Sequence, residues 1–575
     1  MSSANQTTFL RDAEGARSSA GAALVSEMIA KVVAEHSSVT FGVMGNGNAF
    51  VVGWLVQNGH RYVKARHEAG AMSMAQGYYM ATGEVATVTT TYGPGYTNIL
   101  TVLAEASVAR TPIVVVIGEG PRRKRDFDID QKMAAQAMGV ETFTVAEHDA
   151  AAITAEAFAI AERDLKPVIV SIPYDIAEVP APPQRPSVAV QPRQKAQVAE
   201  GDVGRVAALL SSAERPLIIS GRGVLLGNAA QAVHRLGDRL GALFATSVMA
   251  RRVVPSKWDL GIAGGFATLG AAALMRQADA VLVLGASMNN FQMRYGTLLE
   301  GAQHVIQVDE LREPTSSLVT DFVHADVGSF TERLVEAVPS VTGKTWRDRA
   351  PEVATGSVHV PAELPRTDSL GRINPRALAL RLDELLPEER TIVQDGGHFL
   401  GWLAMYGSAP DPYGLQHPGL AFHSIGMGFP AALGASIGRP DRLTVLTCGD
   451  GGGMMTLPDL ETLVREAERA IVVVFNDAAY SMEVHQYEHR GISSEPMVFD
   501  DVDFAGLARC FGAEAHTVTE LGQLDRVEEW LAEGGFGTLF FDVKVSGEFV
   551  AEYVAEKVEH ESRLADGADA GIGDD

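Results

Sequence analysis

Cysteine is what this chain of 575 residues has least of, and positive charge is outnumbered by negative. Only Cys448 and Cys510 occur, which excludes a disulfide framework. Their apolar settings, LTVLTCG and LARCFG, read as buried free thiols in a reducing compartment. Lys and Arg number 47 against 72 Asp and Glu, a formal net charge of -25. That charge repels phosphate backbones and anionic lipid surfaces, so no nucleic acid and no membrane is expected as a partner, and a small molecule is. No run of about 18 apolar residues occurs, and the opening MSSANQTTFLRDAEGARSS lacks an apolar core of signal-peptide length. The expectation is a cytoplasmic protein.

The length is too great for one hydrophobic core and calls for three or four domains. Hydrophobic residues make up 46% and charged residues 21%, and the 58 Gly suit the tight turns between strands and helices. Apolar runs at TPIVVVIG (111–118), PLIIS (216–220), ADAVLVLG (278–285), TVLTCG (444–449) and AIVVVFN (470–476) have the continuous character of strands buried on both faces, and they alternate with helical patterns. The fold class is therefore α/β, with three doubly wound parallel-sheet domains in series. Pro- and Gly-rich stretches at 179–194 and 339–365 read as linkers, giving domains at 18–178, 200–338 and 368–558, with mobile tails at 1–17 and 559–575.

Three motifs carry chemistry. Gly449-Asp450-Gly451-Gly452 follows the strand TVLTC, and after the helical LPDLETLVREAER a second strand ends in Asn476-Asp477. Alone, Gly-Asp-Gly is a common turn. Here strand-turn-helix-strand puts both aspartates at carboxyl ends of strands, where open α/β sheets bind ligands and helix N-termini offer N–H groups to phosphate. One or two carboxylates plus substrate phosphates is how Mg²⁺ is usually held. The second motif, Arg66-His67-Glu68-Ala69-Gly70-Ala71, opens a helix-like run in which Glu68 either favours the helix dipole or does acid-base work. The third is Ser424-Ile425-Gly426-Met427-Gly428-Phe429-Pro430.

Together these resemble the thiamine-diphosphate enzyme family, in its acetolactate synthase-like large-subunit branch, and YGPGYTN (92–98), FGVMGNGN (41–48) and DFAGLARCFGAEAHTV extend the likeness over nearly the whole folded chain. The resemblance implies thiamine diphosphate and Mg²⁺ as cofactors, with Asp450, the side chain of Asp477 and the carbonyl of Ala479 on the metal. It implies that Glu68 shares a proton with the cofactor's pyrimidine ring, and that Ile425 holds the two cofactor rings in a bent shape. Gly397, His398, His423, Gly449, Gly451, Gly452, Tyr480 and Met482 complete the implied cofactor wall. A homodimer or homotetramer with its site at the subunit interface follows from the same likeness.

The implied reaction makes or breaks a carbon–carbon bond of pyruvate or a related 2-oxo acid, with a carbonyl compound as acceptor. A simple decarboxylase, a flavin-linked oxidase and a non-catalytic paralogue are the alternatives. Glu483, six residues after Asp477, matches the position of a proton-handling Glu in keto-acid decarboxylases, and is otherwise an exposed helix residue. Gln131 and His485 are further catalytic candidates. Asn48, Gln131 and His398 are candidates for the substrate-facing wall, or satisfied loop and core residues. GRGV (221–224) is the single glycine-rich hint of FAD in the central segment, and the absence of a flavin-contacting Arg-Asp pattern from GASMNNFQMRYG weighs against it.

Overall fold

The structure is a computed structural model, and it describes residues 23–361 and 363–565. The chain divides into two compact units. The first comprises the residues through Met72 with Val85–Gln191; the second comprises Ser73–Glu84 with the chain from Pro192 onward.

The first unit is built on six strands, β1 (Val39–Gly42), β2 (Arg61–Lys64), β3 (Ala86–Thr90), β4 (Ile113–Glu119), β5 (Glu141–Thr144) and β6 (Val168–Pro173), ordered β2-β1-β3-β4-β6-β5. The second holds two further sheets. One contains β7 (Pro216–Ser220), β8 (Leu243–Thr246), β9 (Asp259–Ile262), β10 (Ala280–Leu284), β11 (His304–Asp309) and β12 (Asp321–His324), ordered β12-β11-β10-β7-β8-β9. The other contains β13 (Arg390–Gln394), β14 (Leu415–Gln416), β15 (Leu443–Gly449), β16 (Arg469–Asn476), β17 (Glu514–Val518) and β18 (Gly537–Lys544), ordered β14-β13-β15-β16-β18-β17.

Neighbouring strands pair in parallel in all three sheets, for example Val445 with Ile471 and Val283 with Ile219. The α/β architecture expected from the continuous apolar runs is thus observed, and those five runs form β4, β7, β10, β15 and β16. Helices bury the sheet faces: Val25, Ile29, Val33, Val51, Leu55 and Phe158 pack on Val114 and Val116 of β4. The strand order reverses between β1 and β3, between β7 and β10, and between β13 and β15. At such a reversal the chain leaves the two strands in opposite directions and opens a crevice at their carboxyl ends.

Three expectations change. The stretch 339–365 is no free linker: Trp346, Ala350, Val353 and Val358 are buried in the core of the β7–β12 sheet, so apolar anchors pin it down. Cys510 is exposed, because its helix, Phe504–Phe511, turns Phe504, Ala505 and Ala508 inward instead. Residues 559–565 are the end of a helix, Glu552–Ala565, held by buried Tyr553, Val554 and His560. The tail at 1–17 and the remainder beyond 565 lie outside the described residues. Among the described residues, no helix is long and apolar enough to cross a membrane.

Helix Gly428–Gly438 packs so closely that a Cβ at Gly434 would lie 1.9 Å from the carbonyl oxygen of Met74. Nothing lies within 4 Å of a Cβ at Gly53, in helix Ala49–Gln57. Gly434→Ala is expected to destabilise by about 1–3 kcal/mol through overpacking, whereas Gly53→Ala should hold or gain up to about 1 kcal/mol from helix propensity. Thermal midpoints of the two variants check this, and equal shifts would refute the close crossing.

Candidate functional site

The crevice between β13 and β15 is where most of the sequence candidates gather. Gly449, the last residue of β15, precedes helix Asp450–Met455, and Asp450, Gly451 and Gly452 are buried at its start. The Asp450 carboxylate accepts N–H bonds from Gly451, at 2.9 Å, and from Ala478. Burial first, and the charge of Asp477 second, push it up to about 7. Asp477 follows β16 directly, accepts the Ser481 hydroxyl at 2.5 Å and is itself raised, mainly by burial. No Lys or Arg forms an ion pair with either carboxylate among the described residues.

The turn after Asp477 is tightly held. Ala478 sits in the left-handed region at φ 59, Phe499 N–H donates to its carbonyl at 3.0 Å, and Tyr480 N–H donates to Met497 O at 2.7 Å. These bonds bracket Ala479 and leave its carbonyl outside the pairing. The Tyr480 ring covers Gly451, where a Cβ would lie 2.4 Å from it.

Across the crevice, Asp395 follows β13 and is 1% exposed; it accepts N–H bonds from Gly426 and Met427, both at 3.1 Å. Burial raises it to about 6. Those bonds fix the loop that carries Ile425, which is 43% exposed into the cavity although large and apolar. A Cβ on Gly396 would meet Ile425 Cγ2 at 2.6 Å, so the loop approaches only because glycine stands there.

All these groups line one cavity of about 670 Å³, together with Gly397, His398, His423, Met482 and Glu483. His423 and Glu483 are exposed, the latter in the first turn of helix Ser481–Tyr487. His485 packs its ring against His398, with centroids 4.7 Å apart. His398 Nε2 accepts from Ala551 N–H at 2.9 Å, and burial followed by the neighbouring His485 holds this imidazole down to about 3.

Glu68, Asn48 and Gln131 belong to the first unit. Glu68 opens helix Glu68–Thr82, and its Oε2 accepts from Asn98 Nδ2 at 2.9 Å. Asn48 is consumed by its own loop: Oδ1 accepts from Gly45 N–H at 2.8 Å, and Nδ2 donates to Val43 O and Thr89 Oγ1, both at 3.1 Å. Gln131 is likewise buried, accepting from Gly93 N–H at 2.7 Å and donating to Gly118 O at 3.0 Å. Their amides therefore close turns.

Residues 24–142, 203–334 and 395–541 match, in turn, the thiamine pyrophosphate enzyme N-terminal TPP binding domain, central domain and C-terminal TPP binding domain. The chain belongs to the thiamine pyrophosphate enzyme family. It is 27% identical to a probable 2-ketoarginine decarboxylase of Pseudomonas aeruginosa, over 84% of this chain and 88% of that one. To an acetolactate synthase large subunit of Parasynechococcus marenigrum it is also 27% identical, over 82% and 78%. In fold it is similar to a thiamine diphosphate-dependent 4-hydroxybenzoylformate decarboxylase of Rhodococcus jostii RHA1, with TM-score 0.74, 20% identity and coverage of 91% and 99%.

The two TPP binding domains imply thiamine diphosphate, and the crevice fits its phosphate end. Glycine backbone at a helix start leaves room for an anion, while the buried Asp450 and the half-buried Asp477 are ion-paired to no Lys or Arg among the described residues. No cluster of three or more His, Cys, Asp or Glu able to hold a metal occurs among the described residues. Two carboxylates alone suit a hard cation whose remaining ligands are backbone, water and phosphate oxygens.

Sequence reading missed several members of this thiamine pyrophosphate enzyme's cavity. Asp395 was legible, since VQDGG repeats the strand-Asp-Gly pattern of Asp450. His417, Trp402 and Tyr553 carry no local signal, because tertiary packing alone brings them to the wall. His417 is buried, stacks on Phe266 with centroids 5.9 Å apart, and is held by burial to about 3.

The His417 shift has a consequence for stability. Folded, the imidazole refuses a proton until about pH 3; unfolded, it takes one below its ordinary 6.5. Stability therefore falls as pH drops from 6.5 towards 3, by about 2 kcal/mol per such histidine down to pH 5. The thermal midpoint of His417→Phe should fall less between pH 7.5 and pH 5 than that of the native chain. Identical falls would mean that His417 titrates freely in the folded protein.

Proposed function

We propose that the chain is a Mg²⁺- and thiamine-diphosphate-dependent lyase or carboligase, acetolactate synthase-like, acting on pyruvate or a related 2-oxo acid. The observation that carries this reading is the pair of carboxylates without an ion-pair partner among the described residues, buried Asp450 and half-buried Asp477, beside a glycine-lined helix start in a cavity that also exposes Ile425. In it, Asp450, Asp477 and the Ala479 carbonyl bind Mg²⁺. Gly449, Gly451 and Gly452 present backbone to the phosphates. Ile425 supplies an apolar ridge against which two rings bend.

Thiamine diphosphate, when bound, supplies an acidic C2–H and a cationic ring that takes up the electron pair freed as a carboxylate leaves. The chain's own groups position and move protons. Glu68 has Oε2 engaged by Asn98, which leaves Oε1 to hold and return a proton. In a homodimer or homotetramer, Glu68 of one copy completes the site of another. Glu483 lines the cavity on a first helical turn, and in this reading it passes a proton to the organic product. That placement favours a second reading, a simple 2-oxo acid decarboxylase releasing an aldehyde. His398 remains neutral and, with His485, presents an uncharged wall.

The deciding experiment measures CO₂ release from a panel of 2-oxo acids, with and without thiamine diphosphate and Mg²⁺, and identifies the organic product by mass. Cofactor-dependent CO₂ is expected; a coupled hydroxy ketone marks the carboligase and an aldehyde the decarboxylase, whereas no CO₂ from any acid overturns both. Glu68→Gln is expected to cut turnover by at least about a hundredfold while cofactor affinity in a calorimetric titration holds. Asp450→Ala should instead weaken Mg²⁺-dependent cofactor binding, and equal affinities in the two variants would refute the metal role.

A further inference from the structure

The cavity has further aromatic lining that the cofactor reading does not use. Phe266, Phe291 and Tyr553 meet there edge to face, with ring centroids 4.8, 5.4 and 5.9 Å apart. His417 stacks on the same Phe266. These rings come from the turn after β9, the loop after β10, the segment after β14 and the helix Glu552–Ala565. They form an apolar, flat-sided recess of the kind that ring-shaped ligands fill.

Set in this wall are polar atoms with nothing to bond. His417 is 3% exposed, and neither Nδ1 nor Nε2 has a partner among the described residues. Trp402 Nε1 and Gln394 Oε1 are in the same condition, each on a side chain 1% exposed, although Gln394 Nε2 donates to Leu400 O at 2.9 Å. All three side chains line the cavity. A buried donor or acceptor left unmade costs about 1–3 kcal/mol, which a ligand group reaching it recovers. Together they offer an N–H, a carbonyl oxygen and a ring with one donor and one acceptor.

None of these groups is charged, and the nearby cations are paired: Arg376, 5.5 Å over the Trp402 ring, with Glu552, and Lys557 with Glu561 at 3.8 Å as well as with Gln486 Oε1 at 2.7 Å. An acidic side chain would find no counter-ion on this wall, and a basic one would meet only neutral groups and rings. Resting on the 2-oxo acid reading, we propose that Phe266, Phe291, His417 and Trp402 bind the substrate's side chain. The wall selects a neutral, ring-bearing side chain with a hydroxyl or other uncharged hydrogen-bonding group at its far end. His417 is here a specificity-determining residue.

The test uses the holoenzyme with thiamine diphosphate and Mg²⁺ and unreactive probes that lack the keto group. They are 4-hydroxyphenylacetate, phenylacetate, acetate and succinate, with affinities read calorimetrically and by quenching of tryptophan fluorescence. The hydroxyaryl probe is expected to bind at least about tenfold more tightly than acetate or succinate, and several-fold more tightly than phenylacetate. His417→Phe should erase the hydroxyaryl advantage over phenylacetate while cofactor affinity holds. Phe266→Leu, which keeps the site apolar but removes the stacking ring, should weaken both aryl probes together. Acetate or succinate binding as well as the aryl probes, or a hydroxyaryl advantage that survives in His417→Phe, would overturn the proposal. Its fate separates from that of the proposed reaction. Aryl selectivity with no CO₂ from any 2-oxo acid keeps this wall and sinks the reaction, and CO₂ from pyruvate without aryl selectivity does the reverse.

Discussion

Two aspartates at the ends of neighbouring strands, one buried and one half-buried and neither in an ion pair among the described residues, are the constraint around which the C-terminal sheet is arranged. Taking a charge out of water is costly, and placing a like charge beside it adds to the cost, so Asp450 and Asp477 would be poor choices for a stable core. The fold limits this cost locally. Amide N–H groups of Gly451 and Ala478 point at Asp450, and the Ser481 hydroxyl points at Asp477. Adjacent parallel strands β15 and β16 then fix the distance between the two, because neither can withdraw without breaking pairs such as Cys448 with Val474. A preorganised pair of this kind gains most from a divalent cation, since its hydrogen bonds are already arranged and its charge is what remains to be neutralised.

The three sheets share one construction and use it differently. In the β7–β12 sheet the crevice at the reversal is filled by backbone: a Cβ at Gly221 would lie 2.1 Å from Gly285 O, and one at Gly285 would lie 2.5 Å from Gly223 Cα. The glycines of GRGV, which hinted at a flavin, therefore serve close packing of two strand ends. In the β13–β18 sheet the corresponding turns, Asp395-Gly396 and Gly449-Asp450, stand apart. Asp395 is spent on holding the Ile425 loop upright, and the space between becomes the cavity. Whether a reversal point becomes a pocket or a packed core is thus decided by a few residues at two strand ends.

The α/β fold was legible because buried parallel strands must be apolar on both faces, and β4, β7, β10, β15 and β16 each stand out as such a run. The cofactor end was legible for a related reason. Asp450 and Asp477 directly follow β15 and β16, so local sequence carries their position. Asn48 and Gln131 are harder to read, because polar side chains in glycine-rich loops look the same whether they face a ligand or tie the loop. Only the bonds to Gly45, Val43, Gly93 and Gly118 tell the two apart. The stretch 339–365 misled through its Pro and Gly, which outweighed Trp346 and Val353 in the reading although these decide where it lies.

The same contrast explains why chemistry was easier to infer than substrate. The diphosphate end requires an anion cradle and a metal seat, which one strand-turn-helix can supply within a few residues. The aromatic wall is assembled from Phe266, Phe291, Trp402, His417 and Tyr553, which lie far apart in sequence and meet only once both sheets of the second unit are folded. No periodicity or spacing links such residues. Substitutions at them can change the recess without touching the turns that hold Asp450 and Asp477. A fold built this way can keep its cofactor end while its side-chain pocket changes, which is why 27% identity to a probable decarboxylase and to an acetolactate synthase large subunit alike specifies the cofactor more sharply than the acid on which it acts.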